Sequence, residues 1–371
     1  MVDSLSSEKQ SQKIELQQFD AQELKAWIKV QALDLGFADC VIAKPDAQDQ
    51  MLHFKRYLEL GYHADMHYLE ENLDKRANPK RLVPNTQSII CVRMNYLVSS
   101  PKARYIPLEP NSAIIARYAR GRDYHKVMRG RLKRLASRIK EKVGDFESRP
   151  FADSAPIFEK SLAESAGMGW TGKHTLLINK KSGSFFVLGE LFTSLELPFD
   201  SPTTAHCGSC TACIDICPTQ AIVEPYMLDA RKCIAYLTIE YKGIIHEELR
   251  RGIGNRVFGC DDCQLICPWN SFAKKASISD FNPRHNLDDI RLLDIWQWNE
   301  ATFLANTEGS PLRRTGYQSF KRNIAIGLGN APYSPEIVAQ LQQAKAFHDE
   351  IVNVHIDWAI QQQLQHIAIV E

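Results

Sequence analysis

Eight of the ten cysteines in this 371-residue chain lie between residues 207 and 267. One run, over residues 207–218, has the spacing C-x2-C-x2-C-x3-C-P. A second run, over residues 260–268, has the spacing C-x2-C-x3-C-P, and Cys233 lies between the two. Clustered cysteines in a short secreted chain indicate disulfides, but this chain is long and shows no secretory or twin-arginine signal. The pattern therefore favours metal binding over disulfides.

The first run has the spacing of bacterial ferredoxins, in which three thiolates of a tight loop bind one 4Fe–4S cluster and the fourth binds the other. The second run has Val257 where its first cysteine would stand, so Cys233 is the cysteine that remains to complete it. The predicted ligands are Cys207, Cys210, Cys213 and Cys267 for cluster 1, and Cys217, Cys233, Cys260 and Cys263 for cluster 2. Zinc would favour paired C-x2-C units and would not explain two C-P endings. The sequence thus predicts a protein that transfers single electrons.

The rest of the composition is that of an ordinary globular protein, with 44% hydrophobic and 24% charged residues. Cys40 and Cys91 lie in apolar segments and are predicted to be inert core thiols. No apolar run approaches the roughly 18 residues that a membrane span needs. The best candidate, residues 185–192, is short and contains Glu190. We therefore expect a cytoplasmic protein with no membrane association.

The order of apolar patterns predicts an α+β protein. Residues 1–15 read as a disordered tail, 16–195 mix helices and strands, 196–275 form a ferredoxin-like module, and 276–371 are helical and HEAT-like. Within these regions we expect strands at 40–43, 88–97, 175–179 and 184–188, a basic helix at 132–143, and C-terminal helices at 320–328, 335–347 and 351–364.

Positive charge is concentrated in one segment although the net charge of the chain is only +1. Residues 117–142 contain eleven Lys and Arg, opposed only by Asp123 and Glu141, which gives a local charge of +9. Such segregation suits contact with phosphates, and the alternative is a solvated helix face. Near the C-terminus, Tyr317 and Phe320 alternate with four further cations, a pattern that can hold a nucleic-acid strand by charge and stacking.

A second distinctive segment covers residues 153–175. Three glycines surround Trp170, which would allow the backbone to approach a flat ligand closely. Asp153 precedes a proline turn and has two interpretations. It could be a proton donor if an apolar pocket raises its pKa, or it could be the N-cap of a helix that starts at Pro156.

Three motifs together carry a resemblance to a known family. They are PFADSAPIFEKSLAESAGMGWTGKHT, YARGRDYHKVMRGRL and LRRTGYQSFKRNIAIGLGN, and they accompany the cluster module with its Val257 offset. With them the chain resembles the epoxyqueuosine reductases from about residue 20 to the C-terminus. The resemblance implies a cobalamin-dependent enzyme, related in its core to reductive dehalogenases, that reduces epoxyqueuosine to queuosine at the wobble position (34) of tRNA. Its two clusters would pass electrons to the cobalt.

The resemblance also implies roles for individual residues. Asp153 would be the proton donor, and residues 16–195 would form the cobalamin-binding domain. The implied corrinoid contacts are Arg76, Asp153, Gly169, Trp170, Lys173, His174 and Asn179. His174 could equally be a core histidine. The base-off motif D-x-H-x-x-G is absent, because Met128 stands where glycine is required, so His125 is expected to be a basic-helix position and not a cobalt ligand.

The implied partner is a tRNA with a GUN anticodon, specific for aspartate, asparagine, histidine or tyrosine. The predicted tRNA contacts are Arg117, Arg120, Arg122, Lys126, Arg313, Arg314, Lys321 and Arg322. We also expect an unidentified low-potential electron donor to reduce the clusters, and we expect the protein to be a monomer.

Two other functions are compatible with the clusters. A corrinoid enzyme that reduces a small molecule would not need the basic segment or the C-terminal helices. A plain electron carrier would need little more than the cysteine-rich stretch, and it leaves the first 195 residues unexplained.

Overall fold

The computed structural model describes residues 20–98 and 109–370, with side chains to residue 365. The predicted tail, residues 1–15, lies outside this range. The strands are β1 (Asp39–Ala43), β2 (Ser88–Asn95), β3 (Ile114–Ile115), β4 (Ser148–Phe151), β5 (Trp170–Thr171), β6 (Leu177–Ile178), β7 (Phe186–Thr193), β8 (Ile222–Glu224), β9 (Met227–Leu228) and β10 (Arg256–Phe258). The helices are α1 (Ala21–Asp34), α2 (Met51–Glu59), α3 (Leu73–Ala77), α4 (Pro79–Leu82), α5 (Tyr124–Val143), α6 (Glu159–Ser165), α7 (Ala212–Asp215), α8 (Ile234–Ile239), α9 (Glu247–Ile253), α10 (Asp262–Leu265), α11 (Leu292–Trp296), α12 (Glu300–Asn306), α13 (Tyr317–Asn330), α14 (Pro335–Ala344) and α15 (Glu350–Val370).

The N-terminal part is built on a four-stranded antiparallel sheet with the order β1-β2-β7-β4. Almost every residue of β2 is buried, because helices cover both faces of the sheet. The strands predicted at 40–43 and 88–97 are confirmed. The strand predicted at 184–188 instead begins at Phe186 and continues to Thr193, and the one predicted at 175–179 is reduced to the two residues of β6.

The two faces of the sheet bury different helices. α1 and α5 pack on one face, where Gly189 of β7 leaves room for the side chains of Met128 and Leu132. The short helix α6 packs on the other face, over Phe151 and Phe192. The loop between β4 and α6 contains Asp153, so the sheet edge and both helix layers position that residue.

α5 contains the predicted basic helix and has two distinct sides. Its N-cap is Asp123, whose carboxylate accepts the backbone N–H of His125, and it ends at Gly144 with φ of 86°. Buried residues recur every three or four positions along it, at Met128, Leu132, Leu135, Ile139 and Val143. The cations therefore lie on the remaining, outward side.

A separate core joins the C-terminal helices to part of the cysteine-rich region. Phe258 of β10 and Phe320 of α13 belong to the same buried cluster. The three predicted C-terminal helices are confirmed, and α13 packs along α15. The domain boundaries at 195 and 275 and the HEAT-like assignment stay predictions. Within the described residues, no helix has the length and apolarity to cross a membrane.

Candidate active site and cluster-binding module

The eight clustered cysteines form two neighbouring groups of thiols. Burial, together with the charges of Cys267 and Cys207, raises the pKa of the Cys213 thiol to about 11. Burial likewise raises the pKa of Cys263, and Cys233 is the charged group that adds most to this effect. Cys207, Cys210, Cys213 and Cys267 line one cavity, so Cys267 of the second run lies with the first three cysteines, and Cys233 lies near Cys217 and Cys263. This grouping supports the predicted ligand sets, since thiolates bound to iron must converge.

Cys40 and Cys91 lie apart from these groups, inside the sheet. Both are buried free thiols, and burial raises the pKa of Cys40 to about 12. Their placement agrees with inert core thiols.

The thiols of cluster 1 face a cavity of about 290 Å³. Lys173 lines it, and its ammonium donates to the carbonyls of Gly208 (2.7 Å) and Cys210 (2.9 Å). Lys173 therefore stabilises the loop that contains Gly208 and Cys210, although it was predicted as a corrinoid contact. The indole of Trp170 packs edge-on against Trp269, with ring centroids 5.0 Å apart.

Three residues predicted to contact the corrinoid have buried donor nitrogens with no partner among the described residues. These atoms are Arg76 Nε, Trp170 Nε1 and His174 Nε2. His174 Nδ1 accepts the backbone N–H of Leu176, so its proton lies on Nε2, and burial lowers its pKa to about 4. Buried donors without partners are costly unless a ligand satisfies them. The residues present therefore fit a polar-edged cofactor such as a corrinoid.

Two further predicted corrinoid contacts, Gly169 and Asn179, have local structural roles. A Cβ on Gly169 would lie 2.1 Å from the carbonyl oxygen of Ile178, so glycine is needed for the pairing of β5 with β6. The side-chain amide of Asn179 donates to the carbonyl of Met168, and its oxygen accepts from Ser182. Only the backbone of these residues is left to face a cofactor.

Asp153 is held between two side chains of α5. Its Oδ2 accepts the hydroxyl of Tyr124 at 3.0 Å and lies 3.0 Å from Nε2 of His125. Asp153 itself has a left-handed backbone with φ of 60°. The N-cap interpretation of Asp153 is wrong, because α6 begins only at Glu159 and is not capped by the Asp153 side chain.

His125 is the main site residue that the sequence analysis missed. It does lie on the basic helix, as predicted, but its ring bridges Asp153 and Asp123, with Nδ1 2.7 Å from Asp123 Oδ1. Burial opposes its charge, but the two carboxylates prevail and raise the pKa of His125 to about 9. Burial likewise opposes the charge of Asp153, and the hydrogen bond and charge of His125 overcome it and lower the Asp153 pKa. The shared proton therefore resides on His125.

The Asp153 group opens into a pocket of about 520 Å³. Tyr124, His125 and Asp153 line the pocket together with Arg313 and Arg314. Arg314 pairs with Glu240 at 2.8 Å. The two predicted tRNA contacts at 313 and 314 thus line the same pocket as the predicted proton donor.

A second groove, of about 680 Å³, runs beside the Asp153 loop and shares Lys126 with the pocket. Its cationic lining residues are Lys126, Arg129, Lys133 and Arg149, and no carboxylate of the described part of the chain lines it. We call this feature the cationic groove. Sequence analysis missed Arg149, because this residue lies on β4 and not in the basic segment at 117–142. Other cations of α5 are neutralised instead: Arg131 pairs with Asp280, and Arg138 pairs with Asp34.

The remaining predicted tRNA contacts divide by burial. Lys321 and Arg322 are buried, 4% and 0% exposed, so their predicted RNA contact is wrong. Arg322 donates to the carbonyls of Leu237, Tyr241 and Gly243, and Lys321 donates to that of Trp296. The stacking partner Phe320 is fully buried as well. The other three predicted contacts already have partners within the protein. Arg117 pairs with Asp261, Arg120 donates to the Ile115 carbonyl, and the exposed Arg122 pairs with Asp280.

Known proteins match nearly the whole chain. The family described as "Epoxyqueuosine reductase QueG, DUF1730" matches residues 76–154, and a 4Fe–4S double cluster binding domain matches residues 206–270. The epoxyqueuosine reductase of Pseudomonas aeruginosa is 50% identical over 92% of this chain and 93% of its own length.

Solved structures share the fold. One is an epoxyqueuosine reductase crystallised with an epoxyqueuosine-modified tRNA-Tyr stem loop, with a TM-score of 0.80 and 25% identity over 93% of this chain and 100% of that chain. Another, from Bacillus subtilis, has its aspartate catalytic loop swung out of the active site, with a TM-score of 0.76 and 25% identity over 92% of this chain and 100% of that one. From its sequence and its fold alike, this chain belongs to the epoxyqueuosine reductase family.

Proposed function

We propose that this protein reduces epoxyqueuosine to queuosine at the wobble position of tRNA, using two 4Fe–4S clusters and cobalamin. The observation that carries the proposal is the joint placement of an acid group and a cationic surface. Asp153, with its partners Tyr124 and His125, lines a pocket that Arg313 and Arg314 also line. The cationic groove reaches the same pocket through Lys126.

Removal of the epoxide oxygen consumes two electrons and two protons, and it releases water and leaves a carbon–carbon double bond. Bound cobalamin supplies the low-potential cobalt centre that the two clusters would feed. The protein's own residues supply the acid: the alkoxide that forms when the ring opens must take up a proton. Asp153 is the group we assign to that transfer, and His125 holds the proton of the pair until it is needed.

The RNA would lie along the cationic groove and reach the pocket with one base. A wobble base must leave the anticodon stack to meet a buried reaction centre, so we expect it to be flipped into the pocket. The cations we assign to phosphate contact are Lys126, Arg129, Lys133, Arg149, Arg313 and Arg314, together with the exposed Arg122. We infer substrates with GUN anticodons. The cytoplasmic location, the monomeric state and the electron donor stay predictions.

A single-turnover reaction under anaerobic conditions tests the proposal. Reconstituted holoprotein with a strong reductant receives an epoxyqueuosine-containing anticodon stem-loop, and the nucleosides are analysed by mass spectrometry. Loss of one oxygen that requires cobalamin supports the proposal. No conversion by protein with cobalamin and both clusters bound would contradict it and would favour a corrinoid reductase of small molecules. Asp153→Asn should retain the cofactors and lose turnover.

A further inference from the structure

A buried carboxyl group lies behind the Asp153 loop, on the central sheet. Glu190 of β7 stands opposite Cys91 of β2 and Phe151 of β4, in the apolar layer beneath α6. Its side chain is 0% exposed, and neither carboxylate oxygen has a donor partner among the described residues. An isolated ionised carboxylate in such surroundings would be very unfavourable.

A second carboxyl, that of Glu159, interacts with Glu190 from α6, which packs on β7. Glu159 is the first residue of α6 and is half-buried. Two carboxylates are both acceptors, so they can bond to each other only if one carries a proton. Burial and the charge of Asp153 raise the pKa of Glu159 to about 7, and burial with the charge of Glu159 raises that of Glu190 further. One shared proton therefore satisfies both groups.

Glu159 also contacts the predicted proton donor directly. Its Oε1 accepts the backbone N–H of Asp153 at 2.5 Å. Asp153 has a left-handed backbone, which costs a non-glycine residue about 1–3 kcal/mol and persists only when neighbouring groups hold it. Tyr124 and His125 hold the carboxylate of Asp153, and Glu159 holds its backbone.

We propose that Glu159 and Glu190 form a carboxyl pair that shares one proton and holds the Asp153 turn in the active site, so that Glu159 is a positioning residue for proton transfer. This inference rests on the proposed function. Asp153 remains the group that meets the substrate. Glu159 acts through the Asp153 backbone, and Glu190 acts through Glu159.

The pair makes the position of Asp153 depend on pH. The titratable and charged groups that face the pair are Asp153, Tyr124, His125, Lys160 and Cys91. Below about pH 7 both carboxyls are protonated, because the pKa of Glu159 is about 7 and that of Glu190 is higher still. Above that pH Glu159 ionises while Glu190 keeps the proton that the pair shares, and a negative charge appears beside Asp153, which repels the Asp153 carboxylate. The single-turnover rate should therefore fall as the pH rises through about 7.

Three variants separate positioning from a merely structural role. Glu159→Gln keeps an oxygen that accepts the Asp153 N–H, and its amide can donate permanently to Glu190. Its rate at low pH should stay near that of the wild type, and the fall through neutral pH should disappear. Glu159→Ala removes the acceptor, and its rate on saturating stem-loop should drop roughly 10- to 100-fold with unchanged RNA affinity. Glu59→Gln, at the exposed end of α2, is the matched control and should behave as the wild type.

A spectroscopic readout makes the test independent of turnover. Infrared difference spectra of the holoprotein across pH should show the carbonyl band of a protonated carboxyl that persists above about pH 7, and Glu190→Gln should lose this band there. Absence of the band in the wild type would overturn the inference whether or not Glu159→Ala folds. A Glu159→Gln rate that still falls through neutral pH would overturn it too. Failure of the wild type to convert the stem-loop, with the band present, would count against the proposed function alone.

Discussion

Nε2 of His125 lies 3.0 Å from Oδ2 of Asp153, while Nδ1 of the same ring lies 2.7 Å from Oδ1 of Asp123. One imidazole therefore bridges the carboxylate at the N-cap of α5 and the carboxylate of the β4–α6 loop. Because both ring nitrogens face acceptors, the doubly protonated ring is favoured. The proton that Asp153 would give to the substrate therefore resides on His125, one hydrogen bond away from Asp153.

This pair predicts a pH dependence of stability. The pKa of His125 is raised from 6.5 to about 9, so its contribution is complete below about pH 6.5 and is lost as the pH rises through about 9. The Asp153 side chain is 48% exposed, which reduces the contribution to about 1 kcal/mol. Thermal unfolding of holoprotein at pH 7 and pH 10 should show this extra loss in the wild type and not in His125→Gln. Equal losses in the two proteins would show that the bridge contributes nothing.

Cys233 predicts a selective loss of iron. Because Cys233 lies with the thiols of the second run, Cys233→Ala should lose cluster 2 and retain cluster 1. Iron and sulfide analysis after anaerobic reconstitution should give about half of the wild-type content. Cys40→Ala, which removes a buried thiol outside the module, is the control and should retain all of the iron. Full iron content in Cys233→Ala would refute the assigned ligand set.

The cationic groove predicts a change in the salt dependence of RNA binding. Lys126→Ala and Lys133→Ala each remove a cation of the groove that forms no close ion pair among the described residues, although Lys126 lies near Asp123. Each should weaken stem-loop binding and reduce the slope of log Kd against log salt by about 0.7–0.9. Filter-binding titrations at several salt concentrations measure this slope. Arg138→Ala is the control on the same helix, because Arg138 already pairs with Asp34. An equal change of slope in all three variants would remove the groove from the RNA site.

The burial of Arg322 predicts that Arg322→Ala destabilises the protein without weakening RNA binding. Its guanidinium is fully buried and donates to three backbone carbonyls, which Arg322→Ala would leave without donors. We expect unfolding to become easier by about 3 kcal/mol, with stem-loop affinity unchanged in the folded fraction. Denaturant unfolding and RNA titration measure the two effects. Gln318→Ala, at an exposed position of α13, should change neither. A stable Arg322→Ala protein with weakened RNA binding would restore the original prediction.

Features that depend on local spacing could be predicted from the sequence. The cysteine runs indicated the two ligand sets, because a ferredoxin-type loop places its thiolates through neighbouring residues. The strands at 40–43 and 88–97 and the three C-terminal helices followed from local apolar patterns. The proton-donor role of Asp153 came from motif resemblance, since its own spacing left the N-cap interpretation open.

Contacts between polar side chains from distant segments are visible only in the folded structure. His125 lies 28 positions before Asp153 in the sequence, and Glu190 comes from β7, on which α6 packs, so no local pattern joins them. The C-terminal cations looked alike in sequence, yet Arg313 is exposed at the pocket and Arg322 is buried, because α13 is covered on nearly all sides. A run of charges in the sequence shows only the composition of that segment. Whether each cation is free or neutralised depends on carboxylates and carbonyls that arrive from distant segments.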